Sequence, residues 1–151
     1  DPMEQAAFDI RLFDHPNEWR HIRMEAFQKE QGFQNEFDAL DAQALHLCAY
    51  HNEEAIGCLR LYSEDLTKKH WHLGRLAVLA PWRHRHVATT LLQAAKQLLT
   101  EAGASTITLD AQSHLQAFYE RSGYSVCGPT FHEEHVLHVP MRTYLGEPRT
   151  C

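Results

Sequence analysis

The spacing of apolar and polar positions changes several times along this chain, and each change marks an element. Phe8 to Phe13 (FDIRLF) alternates apolar and polar residues, the period of a half-buried strand. Pro16 then stands where the first turn of a helix tolerates it, and Trp19, Ile22, Arg23, Ala26 and Phe27 follow at helical spacing. The acidic stretch Glu30 to Asp41 (EQGFQNEFDALD) comes next; Gly32 breaks the helix, and a short second helix is expected after it. Ala44 to Tyr50 (ALHLCAY) and Ala55 to Tyr62 (AIGCLRLY) read as strands flanking a four-residue turn, HNEE, which makes a hairpin.

A third strand run, His70 to Leu79 (HWHLGRLAVL), stops at Ala80-Pro81. From Val87 the period lengthens: Val87, Leu91, Ala94, Ala95, Leu98 and Ala102 fall on one helical face, and Gly103 closes the helix where a left-handed residue is easiest. Ser105 to Ala111 (STITLDA) is a further strand. Ser113 is placed to cap a helix carrying Leu115, Phe118 and Tyr119 that ends at Gly123. SVCGPTF and HVLHVPMRTYL read as a final pair of strands. Strand, helices, three strands, helix, strand, helix and two strands together predict one α/β domain, a mixed sheet flanked by helices.

Composition narrows this picture. A chain of 151 residues suits one domain, with residues 8–145 as its body, 1–7 as a tag remnant and loose N-terminus, and 146–151 as a tail. A net charge of −6, from 20 acidic and 14 basic residues, argues against a general nucleic-acid binder. No apolar run approaches the ~20 residues of a membrane helix. Cys48, Cys58, Cys127 and Cys151 have no CxxC spacing and read as small residues in a reducing, cytoplasmic setting.

Chemistry concentrates in Arg75 to Leu92 (RLAVLAPWRHRHVATTLL), where a strand passes through a proline-bearing loop into a long helix whose first turn is expected to carry Arg83 and Arg85. Unpaired N–H groups and the helix dipole favour an anion there, and two arginines make a pyrophosphate the natural partner. A basic helix start on a solvated surface is the alternative reading of the same residues.

Further along, Leu109 to Tyr124 (LDAQSHLQAFYERSGY) resembles the A-x-x-FYE-x-x-G-[FY] helix of the GNAT superfamily of acetyltransferases. Arg83-His84-Arg85-His86-Val87-Ala88 is similar to that family's [Q/R]-x-x-G-x-[G/A] loop at Arg83 and Ala88, with His86 and His84 where glycines are common. Phe27 to Asp41 and Phe131 to Met141 (FHEEHVLHVPM) resemble segments of a small bacterial branch related to YjcF and ElaA. The resemblance implies a GNAT-like central sheet and acetyl transfer from acetyl-CoA, as co-substrate, to a primary amine by direct attack. It implies that Leu76, Ala77 and Val78 hold the pantetheine arm, that Arg83, His84, Arg85, His86, Val87, Ala88 and Thr89 cradle the pyrophosphate, and that Phe118 adjoins the cofactor. Tyr119 becomes the general acid toward the leaving thiolate; read from its own helix alone, it is equally a core aromatic.

For the general base the candidates are Glu133, His138, His72 and Asp110, with Glu133 and His138 ranked first because they lie in the segment similar to the branch. Twelve histidines, clustered as His70-x-His72, His84-x-His86 and His132-x-x-His135-x-x-His138, raise a metal-binding reading. Zinc-finger cysteine spacing and an HExxH helix are both missing, so no metal is expected. Glu25, Glu30, Glu36, Asp38 and Asp41 are placed to steer a cationic acceptor. The implied partners are a small-molecule or protein amine and a second copy of the chain in a homodimer, with no nucleic acid and no membrane. A catalytically silent acyl-CoA-binding or interaction module is the rival reading.

Overall fold

The structure is a computed structural model and describes residues 8–13, 22, 23, 26, 41 and 43–146. Among the described residues the strand and helix pattern of the sequence is met closely; the two helices expected between Pro16 and Asp41 fall largely outside them. β1 (Asp9–Phe13), β2 (Leu45–His51), β3 (Glu54–Ser63) and β4 (His70–Val78) form an antiparallel series. The long helix α1 (Val87–Glu101) crosses to β5 (Thr106–Gln112), which lies parallel to β4. A 3-10 turn (Ser113–Leu115) and the short helix α2 (Gln116–Arg121) lead to β6 (Ser125–Val126), β7 (Phe131–Glu133) and β8 (Val136–Tyr144). The sheet runs in the order β1-β2-β3-β4-β5-β8-β6, with β7 also on β8, so the expected mixed α/β sheet is what forms.

Several details differ from the sequence reading. The hairpin turn tightens from HNEE to Asn52-Glu53, because Asn52 takes a left-handed φ of 55° that a two-residue turn requires. Helix α1 turns Leu92 and Leu99 fully inward, leaves Ala94 and Leu98 half-buried and exposes Ala102. The bulky leucines thus take the centre of the buried stripe. Ser113 caps nothing: it sits inside the 3-10 turn, and neither that turn nor α2 has a side-chain cap. The first of the two closing strands splits into β6 and β7, both of which pair with β8.

The period-two strands sort their side chains by face. Leu47, Ala49, Ile56, Leu59, Leu61 and Leu73 pack with Val87, Leu91, Leu92, Ala95 and Leu99 in the main core. On the opposite face Cys48, Tyr50, Cys58 and Ala77 pack with Ile22 and Ala26. Gly57 lets α1 lie close on the sheet; a Cβ there would meet Val87 Cγ1 at 3.1 Å, Ala77 O at 3.2 Å and Leu91 Cδ1 at 3.3 Å. No helix among the described residues is long and apolar enough to cross a membrane.

Candidate functional site

A wedge opens in the middle of the sheet. β4 and β5 pair only where His70, Trp71 and His72 face Thr106, Ile107 and Thr108. Beyond that β4 continues to Val78 and β5 to Gln112 without pairing to each other. A bulge accompanies the parting: Cys58 faces Ala77 and Arg60 faces Gly74, which places one extra residue in β4, and Arg75 within it takes a φ of 54°. Leu76, Ala77 and Val78 therefore border the wedge with a strand edge that β5 does not cover.

A groove of about 600 Å³ fills this opening. One wall is Leu76, Ala77 and Val78; the other is Leu115, Phe118, Tyr119 and Arg121; the end nearest α1 is Trp82, Arg83, His84, His86, Val87, Ala88 and Thr89. Nearly every position expected at the cofactor thus lines one groove. Arg85 does not. Its Nε donates to Pro81 O at 3.2 Å and its guanidinium lies 5.8 Å from the Trp82 ring centre, so the loop carries it elsewhere.

The start of α1 has no side-chain cap. The helix begins at Val87, so Arg83 and Arg85 precede its first turn rather than sit in it. His86 is the N-cap residue without a side-chain cap, and the first turn holds no acidic residue, which leaves the leading N–H donors for a ligand. Arg83 ties the loop back to the strand, its Nε donating to Val78 O at 2.9 Å. His84 and His86 have φ values of 62° and 65°. Glycine is favoured at such positions because a Cβ strains a left-handed backbone by roughly 1–2 kcal/mol, although histidine tolerates it better than most residues. His86 lies outside the helix proper, so a glycine there relieves strain without weakening the helix.

Tyr119 is buried, edge-on to Phe118 at 5.1 Å and to Tyr124 at 6.1 Å between ring centres. Gly123, at φ 95°, reverses the chain after α2: its N–H bonds Glu120 O at 3.0 Å and that of Tyr124 bonds Tyr119 O at 3.0 Å. The same turn packs Tyr124 on Tyr119 and fixes the ring at the groove wall. Burial pushes the Tyr119 phenol well above its ordinary value, so it stays protonated throughout the physiological range.

The remaining candidates lie apart from the groove lining. Glu133 is exposed on β7, and His138 is buried on β8 with Nδ1 donating to Val136 O at 2.9 Å and its ring stacked on Phe131. His72 and Asp110 lie at the closed end of the wedge, with Nε2 and Oδ2 3.8 Å apart. Asp41 does not face solvent to steer a ligand: it is buried, bonded by Arg23 at 2.7 Å and Arg60 at 3.0 Å, and its backbone oxygen accepts from His46 Nε2 at 2.9 Å. Glu25, Glu30, Glu36 and Asp38 lie outside the described residues. Among the described residues no group of three or more His, Cys, Asp or Glu side chains is arranged to hold a metal ion.

Comparison with known proteins agrees with this geometry. Residues 13–145 match the model of the acetyltransferase (GNAT) domain. YjcF of Bacillus subtilis, an uncharacterised N-acetyltransferase, is 32% identical over 108 residues, covering 70% of this chain and 75% of YjcF. An acyl-CoA N-acyltransferase from Pseudomonas aeruginosa superposes with a TM-score of 0.82 at 23% identity, over 91% of this chain and 99% of that one. Escherichia coli ElaA superposes with a TM-score of 0.81 at 21% identity, over 91% and 99%.

Proposed function

Since the chain belongs to the GNAT acetyltransferase family and is an acyltransferase, we propose that it moves an acetyl group from acetyl-CoA to a primary amine by direct attack. The observation that carries the reading is the continuity of the β4–β5 wedge with the uncapped start of α1. Diphosphate oxygens are received by the N–H groups of Val87, Ala88 and Thr89, with Arg83, His84 and His86 around them. The pantetheine arm runs along Leu76, Ala77 and Val78, whose free strand edge supplies amide hydrogen-bonding groups, and the apolar side of Phe118 closes over it.

A backbone N–H in the Leu76–Val78 stretch meets the oxyanion formed when the amine adds to the thioester carbonyl. The C–S bond then breaks and the sulfur leaves toward Tyr119. A phenol held neutral by burial is always available to hydrogen-bond the developing thiolate and to pass it a proton, although its raised pKa makes complete transfer harder. Among the described residues no cysteine lines the groove, which supports attack by the amine itself rather than through an acyl-enzyme.

The test is direct. Acetyl-CoA binds the native state only and should raise the melting temperature with ligand concentration, while thiol release should appear with one or more members of an amine panel. No thermal shift at millimolar acetyl-CoA sinks the cofactor site. A shift without thiol release on any amine favours the silent acyl-CoA-binding module instead.

A further inference from the structure

Resting on the N-acetyltransferase reading, we propose that His72 is the general base, that it and Asp110 receive the acceptor as a primary ammonium, and that Thr108 and Glu64 fix the ring's tautomer. Thr108 Oγ1 has one proton, and its acceptors are Glu64 Oε1 at 3.0 Å and Trp71 O at 3.5 Å. Of the possible acceptors, the ring nitrogen included, the Glu64 carboxylate takes that proton because its bond is charge-assisted, and toward His72 the hydroxyl then accepts. His72 Nδ1, 3.0 Å from Thr108 Oγ1, must therefore carry the ring proton, and the Nε2 lone pair is open.

That lone pair has a neighbour which cannot occupy it. Asp110 Oδ2 lies 3.8 Å from Nε2; it has no proton to give and is beyond hydrogen-bond reach. An ammonium nitrogen about 3 Å from both atoms fits against the pair and donates to each. One N–H proton passes to Nε2 and the nitrogen gains the lone pair with which it attacks the thioester carbon. The nitrogen adds to give the tetrahedral oxyanion, the C–S bond then breaks with its electron pair on sulfur, and Tyr119 protonates the thiolate. The second N–H proton, acidified by the new C–N bond, is lost through solvent and the Tyr119 phenolate is reprotonated. The imidazolium left behind donates through Nδ1 to Thr108, has its charge balanced by the Asp110 carboxylate 3.8 Å from Nε2, and gives its proton to solvent before the next turnover.

The position suits this work. His72 and Thr108 are the last registered pair of β4 and β5, so the ring stands where the wedge closes, on the strand that also supplies Leu76, Ala77 and Val78. Glu133 and His138, by contrast, lie on β7 and β8 beyond β5. The groups around the ring are Asp110 from β5, Glu64 after β3, Arg60 and Tyr62 from β3 and Arg75 from β4, the Tyr62 ring centre being 5.2 Å away. Burial lowers the His72 pKa below the ordinary 6.5; the two carboxylates oppose this, and the two guanidinium groups add to it. The ring is neutral at pH 7, as a base must be, and activity falls as pH drops through its folded value.

The experiment compares wild type, His72→Gln and Thr108→Val by acetyl-CoA calorimetry, by thiol release with spermidine, glucosamine, kanamycin and lysine, and by 15N spectra of the imidazoles. His72→Gln should bind acetyl-CoA within twofold of wild type, yet lose about 10²–10³-fold in kcat/KM. It should also lose the acid limb that wild type shows below pH 6.5. Thr108→Val should lose about tenfold and shift that limb, and the neutral His72 ring in wild type should be protonated on Nδ1. A His72→Gln enzyme within twofold of wild type with the limb intact overturns the proposal, as does a neutral ring protonated on Nε2. The spectrum decides even if none of the four amines is turned over. Failure of wild type to bind acetyl-CoA would instead strike the parent reading.

Discussion

The two halves of β4 present different chemistry on either side of one bulge. After Arg75 the strand offers main chain: Leu76, Ala77 and Val78 face a groove whose far end is the uncapped start of α1. Before it the strand offers side chains, with His72 held by Thr108 and faced by Asp110, and Arg60 on β3 locked by buried Asp41. Main-chain donors tolerate many side chains so long as the backbone keeps its course. Side-chain networks in a buried setting tolerate few changes, because each loss leaves a partner unsatisfied. The comparison teaches that one strand can hold a permissive main-chain edge and a demanding polar cluster only a few residues apart.

The largest effect should come from the demanding half. Asp41→Ala leaves two buried guanidinium groups without the carboxylate that bridges them, and about 3–5 kcal/mol of stability should go with it in denaturant unfolding. A loss below about 1 kcal/mol would show that the cluster relaxes easily and would erase the contrast. Next, Tyr119→Phe keeps the ring that packs on Phe118 and Tyr124 and removes the hydroxyl. Its kcat should fall roughly ten- to a thousandfold with acetyl-CoA affinity unchanged. Because burial keeps the phenol protonated, the ratio to wild type should be flat between neutral and mildly alkaline pH. Unchanged turnover returns Tyr119 to the core.

On the permissive half, Arg83→Ala should weaken the acetyl-CoA thermal shift, with affinity falling about tenfold for one lost charged contact. Arg142, half-buried beside Tyr144 and not part of the groove lining, serves as the control and should leave the shift unchanged. Equal losses for both would remove Arg83 from the site. The smallest change is His86→Gly. Relief of a left-handed histidine should stabilise the chain by about 1 kcal/mol. CoA titrations at acid and neutral pH should show tighter binding, since no Cβ then narrows the approach to the amide. Weaker binding, most visible below pH ~6.5, would transfer the contact to a charged imidazole.

Much of this was legible in local pattern. Hydrophobic period is a property of neighbouring residues, so the strands, the long helix from Val87 and the closure at Gly103 and Gly123 could be read one after another. Much of the groove lining was legible because it belongs to consecutive stretches, Leu76 to Val78 and Arg83 to Thr89, of which Arg85 alone lies outside the lining. The positive φ at His84 and His86 was signalled only by the glycines common in similar loops.

What the sequence by itself determined, then, is the alternation of strand and helix, the family likeness and the stretches that line the groove, all of which follow from residues near one another in the chain. Tertiary structure decided the rest. Asp41 reads as a surface acid in its acidic stretch, and only folding brings it between Arg23 and Arg60, 18 and 19 residues away in the chain. His72 and Thr108 stand 36 residues apart, and Thr108 and Glu64 stand 44 apart, so no local signal could state which nitrogen holds the proton. The parallel pairing of β4 with β5 sets that choice by bringing a hydroxyl beside an imidazole at the point where the strands separate.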